Sequence, residues 1–278
     1  MELTFLVDNN SFIGTQFLAE PALSIYIREG GKNILFDAGY SNAFMVNALH
    51  KGIDLLHLDW LALSHGHLDH TWGLDHLIRH YYEAAVNKLD HTRPQLVAHP
   101  QAFISKRQKN LPEIGMLLAE EKLSHQFELV LTDKPLWLTD KLVTLGEIER
   151  VMDFEPPTPL GERLEHDGPV PDDMPDDTAL ACVTDSGLVV ISGCSHVGIC
   201  NIVEQAKRVT GVDKVRSILG GFHLQNAQPE RLDPTVEYLA SLDLDDLYAC
   251  HCTDLAAKIA MAQKCPLREV GSGLTLKF

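Results

Sequence analysis

Six consecutive residues, His65 to His70, read H-x-H-x-D-H and bring three imidazoles and a carboxylate within reach of one another. Imidazole nitrogen and carboxylate oxygen form a donor set suited to zinc, iron or manganese, with geometry and supply deciding among them. On a regular strand, residues two apart share a face, so His65 and His67 are expected to hold one cation. Asp69 and His70 fall in the turn that follows, which can redirect them toward a second cation. Two cations about 3.5–4 Å apart can share a hydroxide and clamp an oxyanion. The competing reading is a chance surface cluster. It is disfavoured because the motif directly follows the apolar run "LDWLALS", which reads as a buried strand.

Two cations need more donors than one turn supplies. His196 follows "GLVVISGCS", His223 follows "SILGGF" and His251 follows "DLYAC", each at the C-terminal end of an apolar run. A lone histidine at such a place is more often a hydrogen-bonded structural residue. Three of them, placed like His65 and His67, favour a shared metal site. His76, His80, His91, His125 and His166 lie on expected helices or loops and read as ordinary.

The elements that must position these groups follow from hydrophobic period. "LTFLVD", "ALSIYIREG" and "KNILFDAG" read as strands, "SNAFMVNALHKGI" as a helix, "LDWLALSH" as a buried strand, "TWGLDHLIRHYYEAAV" as a helix and "PQLVAHP" as a strand. The pattern blurs after Gln101, and Glu155 to Asp177 is rich in Pro, Gly and Asp. That segment is expected to be an irregular loop at the pocket rim, mobile when the pocket is empty. The second half restarts with strands in "TALACVTDSGLVVISGC". It then alternates helix "GICNIVEQAKRVTG", strand "VRSILGGFHL", helix "PTVEYLASL", strand "DDLYACHC" and helix "LAAKIAMAQ", and closes on strand "EVGSGLTLKF". The expectation is one domain, 1–278, of two similar halves packed sheet to sheet, with an irregular insertion around 100–177.

The 278 residues carry 23 basic and 39 acidic side chains, a formal charge of −16, with no long basic run. Such a surface repels nucleic acid and anionic membranes, so a small-molecule substrate is expected and neither of those partners is. No apolar stretch is long enough to span a bilayer. The start "MELTFLVDNN" does not read as a signal peptide. Six cysteines scattered between Cys182 and Cys265 form no compact disulfide framework. A reducing cytoplasm is the expected home.

"ILFDAG", "LALSHGHLDH" and the downstream strand-end histidines resemble the metallo-β-lactamase superfamily. "VAHPQAF" with Lys106 and Arg107, "LGEIERVMDFE", "GCSHVGICNIV", "ILGGFHL" and "CHCTD" resemble more narrowly its dihydropterin-(ribofuranosyl)aminobenzene-phosphate synthase subfamily, over nearly the whole chain. The resemblance implies an α/β (α+β) fold, a four-layer αββα sandwich with two divalent metal ions at one edge of its sheets. Zinc is the first choice for these ions, with iron or manganese compatible.

It further implies that His65 and His67 hold one cation with a third histidine, and that Asp69, His70 and His251 hold the other. In most of the superfamily a bridging aspartate follows the second-half strand; here Gly193-Cys194 stands in its place. His196 becomes the implied third ligand, and Cys194 bridges, ligates weakly or only packs. Asp37 is expected to orient a ligand by hydrogen bonding. Asp69 and His223 are the candidate catalytic side chains, His223 as substrate contact or proton donor. Lys106 and Arg107, expected on a helix at a pocket wall, are candidates to bind a substrate phosphate. Trp72, where the resemblance suggests a small residue, could stack on a flat ring or fill the core. Pro21-Ala22 replaces an expected polar pair and could likewise reshape the pocket.

The first functional expectation is hydrolysis of a phosphoester or cyclic ester by metal-bound hydroxide. The alternative is a transferase joining a dihydropterin to an aminobenzene-ribose phosphate. A diiron redox role is less expected, since no flavin segment is visible. A non-catalytic binding module is disfavoured by the intact metal motif.

Overall fold

Alternating apolar residues in the opening segments close into antiparallel strands because one face of each must be buried. A computed structural model describes residues 1–278. The first half gives β1 (Glu2–Val7), β2 (Ser24–Glu29), β3 (Lys32–Phe36), α1 (Ala43–His50), β4 (Trp60–Ala62), α2 (Leu68–Thr71), α3 (Leu74–Val86) and β5 (Gln95–Ala98). The middle gives β6 (Lys106–Arg107), α4 (Glu120–Gln126), β7 (Glu128–Leu131), β8 (Leu136–Trp137), β9 (Leu142–Thr144), β10 (Glu162–Glu165) and β11 (Gly168–Pro171). The second half gives β12 (Ala179–Thr184), β13 (Gly187–Ser192), α5 (Ile199–Thr210), β14 (Val215–Gly221), α6 (Pro229–Ser241), β15 (Asp246–Cys250), α7 (Leu255–Ala262) and β16 (Thr275–Lys277).

Two sheets carry the fold. One runs β16-β1-β2-β3-β4-β5-β7 and the other β15-β14-β13-β12-β9-β8. In both, the pairing is antiparallel at first and parallel toward the end that holds the histidines: β3-β4-β5-β7 and β13-β14-β15. Three apolar clusters define the layers. Phe5, Ile25, Phe36, Leu180, Ile191 and Leu219 fill the space between the sheets. Phe44, Leu61, Leu74 and Leu77 bury α1 and α3 on the outer face of the first sheet. Ile202, Val203, Val236, Leu239 and Met261 bury α5, α6 and α7 on the second. The result is the expected αββα sandwich. No helix is long and apolar enough to cross a membrane.

The middle of the chain departs from expectation. The segment around 100–177 is not simply an irregular insertion: β7 extends the first sheet, and β8 and β9 extend the second. Within Glu155–Asp177, β10 and β11 form a hairpin that pairs with β6. Both ends of that segment are pinned by buried carboxylates. Glu155 accepts the Cys200 and Asn201 N–H groups at the start of α5, and Asp177 accepts the Val197 N–H. An end-to-end mobile loop is incompatible with those buried acceptors. Helix α6 also begins earlier than expected, with Pro229 rather than Pro234 in its first turn. Pro234 sits inside, where its missing N–H leaves the Glu230 carbonyl without its helical donor.

Candidate metal centre

The sheets end at one edge, and the loops leaving them supply the chemistry. β4 stops at Ala62, so His65 and His67 sit beyond the strand rather than on it. A tight loop, not strand alternation, brings them together. Gly66 makes the loop possible, since a Cβ there would lie 2.1 Å from the Ala102 carbonyl oxygen. The Gly66 N–H donates to Asp176 at 2.9 Å. His67 caps α2, which carries Asp69 and His70.

Asp37 anchors this loop from β3. It is fully buried. It accepts the Ser64 N–H at 2.8 Å, the Ser64 hydroxyl at 2.7 Å and the His70 Nδ1–H at 2.6 Å. With its hydroxyl proton given to Asp37, Ser64 Oγ accepts from His65 Nδ1 at 2.9 Å. When neutral, both rings then turn an Nε2 lone pair toward the cluster. These bonds are the ones an orienting role for Asp37 requires.

Those lone pairs converge. His65 Nε2 lies 3.1 Å from His67 Nδ1 and 3.2 Å from His196 Nε2. His70 Nε2 lies 3.2 Å from both His251 Nε2 and Cys194 Sγ, and Asp69 Oδ2 lies 3.3 Å from His251 Nε2. Three sets of donors each fall within 4.8 Å: Asp69, His70, Cys194 and His251; His65, Cys194 and His196; His65, His67 and Asp69. Cys194 belongs to two of them. Nitrogen, oxygen and sulfur donors at such spacing fit divalent cations, and nearly all of these side chains are buried.

The charges agree. Burial pushes His65 and His196 well below the usual imidazole range, and burial with nearby Lys106 takes His67 to about 3. These three are neutral donors at pH 7. Burial also opposes charge on His70, but Asp37 and Asp69 outweigh it and hold His70 at about 9. Burial alone would raise Asp69; the His70 charge and the His251 contact hold it well below the carboxylate range. Burial raises the Cys194 thiol, and Cys252 adds to the effect. One consequence is measurable. His70 must lose its extra proton to ligate, so cation uptake by metal-free protein at pH 7 should release about one proton from it, and affinity should rise with pH until about 9. A pH-stat titration, repeated with His70→Asn, checks the sign.

Other expected site residues lie elsewhere. Lys106 is on a short strand, not a helix, and is 1% exposed. Its ammonium lies 2.6 Å from Asp176 and 3.3 Å from Asp172, both buried, so it supports the Gly66 loop from inside and has no free face for a phosphate. Arg107 points outward to Glu162 at 3.0 Å. Trp72 donates from Nε1 to the Gly115 carbonyl and stacks on Tyr40, 5.3 Å between centroids. One ring face is therefore already covered. His223 lies beside the centre, its ring 4.4 Å from His196, but outside the donor sets.

Sequence reading missed Asp8, Asn9, Ser64, Asp176 and Cys252 around the site. The one available signal was the polar break "VDNN" after β1. A cavity of about 960 Å³ adjoins Asp69 and His251 and is lined by Asn9, Asn10, Gln225 and Lys258 among others. A separate groove between α1 and α3 touches none of the donors.

Comparison with known proteins agrees with this picture. A family model described as the metallo-beta-lactamase superfamily matches residues 19–200. A 7,8-dihydropterin-6-methyl-4-(beta-D-ribofuranosyl)-aminobenzene-5'-phosphate synthase of Methanocaldococcus jannaschii is 34% identical over 239 residues, covering 82% of this chain and 77% of that one. Among solved structures, one described as a metal-dependent hydrolase of the beta-lactamase superfamily superposes with a TM-score of 0.84 at 24% identity, over 100% and 99% of the two chains. A diphosphatase of the PhnP family superposes with a TM-score of 0.55 at 16% identity, over 100% and 97%.

Proposed function

The chain belongs to the metallo-β-lactamase superfamily, with a relative named as a dihydropterin synthase, and on that premise we propose that it is a dinuclear metal hydrolase of a phosphoester or cyclic ester. The observation that carries the reading is the convergence of two donor sets on Cys194. His65, His67 and His196 would hold one cation and Asp69, His70 and His251 the other, with Cys194 within reach of donors from both groups. A sulfur donor beside imidazoles favours zinc or iron over magnesium. Divalent cations held there supply Lewis acidity toward a phosphoryl or carbonyl oxygen and lower the pKa of water.

The chain's own groups supply the rest. Asp37 and Ser64 keep His65 and His70 turned to the centre. His223, half-buried beside His196, serves as substrate contact or proton donor to a leaving oxygen. The polar cavity beside Asp69 and His251 admits water, which suits hydrolysis; a transferase must exclude it. The substrate is a small molecule, since the charge of −16 disfavours nucleic acid and anionic membranes. Six free thiols suit a reducing cytoplasm.

A second reading is transfer of a dihydropterin to an aminobenzene-ribose phosphate. Two observations favour it: the name of the 34% identical relative, and a second cavity beside Asp69 lined by Pro21, Tyr40 and Leu68, where a flat ring has an apolar seat. The test is turnover of phosphodiester and lactone panels by metal-loaded protein, with His67→Ala as control. Turnover lost in the control supports hydrolysis. Failure on both panels, with a dihydropterin diphosphate consumed only when an arylamine is present, establishes transfer instead.

A further inference from the structure

His251 is gripped by the two residues that follow β1, some 242 positions away in sequence. Asp8 Oδ1 accepts its backbone N–H at 2.9 Å. Asn9 Nδ2 donates to its carbonyl at 3.1 Å, and Asn9 Oδ1 lies 3.0 Å from its ring Nδ1. The grip holds a costly conformation: His251 has φ of +51°, the left-handed region that a side-chain-bearing residue rarely adopts.

The Asn9 amide has one orientation that satisfies both contacts. A carbonyl only accepts, so the atom facing the His251 oxygen must be the NH₂ group. The atom facing ring Nδ1 is then the amide oxygen, which also only accepts. Nδ1 must therefore carry a proton. A neutral imidazole has a single N–H, so Nε2 presents a lone pair. Nε2 is the atom that faces Asp69 Oδ2 and His70 Nε2.

We infer that Asn9 is a positioning residue for the Asp69–His70–His251 half of the centre, fixing the tautomer and rotation of His251 that make Nε2 a metal donor. The inference rests on the reading of His251 as a ligand. Asn9 also lines the cavity beside Asp69, so the loop after β1 both bounds the substrate space and sets one ligand. A histidine bound to metal needs a partner on its other nitrogen, and here an amide oxygen takes the place that Asp37 takes for His70.

The test has two parts. Nitrogen NMR of histidine-labelled, metal-free protein reports the His251 tautomer; a proton on Nδ1 is expected, and one on Nε2 overturns the inference. Zinc titration against a chelator follows the variants. Asn9→Ala should keep the first equivalent unchanged and bind the second about 10–100-fold more weakly. Asn9→Asp, whose carboxylate still accepts from Nδ1, should recover most of that loss. Unchanged affinities in Asn9→Ala overturn the inference, as does equal weakening of both equivalents in both variants, which marks a general structural role. Wild-type protein that takes up fewer than two equivalents sinks the metal reading instead, and the tautomer then still decides the role of Asn9.

Discussion

Replacing Lys106 with alanine should destabilise the protein by about 3–5 kcal/mol, the cost of leaving buried carboxylates without their cation. Asp172 and Asp176 are both buried, and Lys106 is the ammonium nearest to each. Arg163 reaches Asp172 only at 3.7 Å and is held mainly by Asp173 and Glu165. Asp176 in turn accepts the Gly66 N–H, so the loss should also loosen the loop between His65 and His67. Denaturant unfolding measures the effect. A double variant, Lys106→Ala with Asp176→Asn, should recover part of it by removing one of the stranded charges. An unchanged unfolding midpoint with a raised KM for phosphorylated substrates would contradict this and restore Lys106 as a phosphate contact.

Asp37→Asn should weaken cation binding by about 10–100-fold with little change in shape, because the substitution alters protons rather than volume. Asp37 Oδ1 accepts the Ser64 N–H, and Oδ2 accepts both the Ser64 hydroxyl and His70 Nδ1–H, so the Asn NH₂ group must face either the Ser64 N–H or the Ser64 Oγ and His70 Nδ1 together. Facing Nδ1, it demands a lone pair there and drives the His70 proton onto Nε2, the nitrogen directed at Cys194 and His251. Facing the Ser64 N–H instead, it sets donor against donor and loosens the residue whose hydroxyl sets His65. Activity should fall at least in step with affinity and be partly restored by excess zinc. Full activity at limiting zinc would show that Asp37 does not set these rings.

The legible parts of this protein were those written in local pattern. Apolar alternation gave both sheets, and the spacing in H-x-H-x-D-H with three strand-end histidines pointed to one edge, where His65, His67, His70, His196 and His251 do meet. What stayed hidden depends on long-range pairing. Nothing local marks Lys106 as buried, because its partners Asp172 and Asp176 lie about 70 residues away. The same holds for Asn9 and His251. Trp72 left two readings open, ligand stacking or core filling, because its stacking partner, Tyr40, arrives from the loop after β3. The middle segment blurred because β8 and β9 are two and three residues long, too short to show a period.

The most direct test is the metal content of the wild-type chain beside His251→Ala, measured by elemental analysis after loading with zinc and removing the excess. Two equivalents in the wild type and one in the variant are expected, since His251 groups with Asp69, His70 and Cys194, whereas His65 groups with Cys194 and His196 and with His67 and Asp69. A wild-type chain that retains only one equivalent, with His251→Ala retaining the same, would contradict a dinuclear centre.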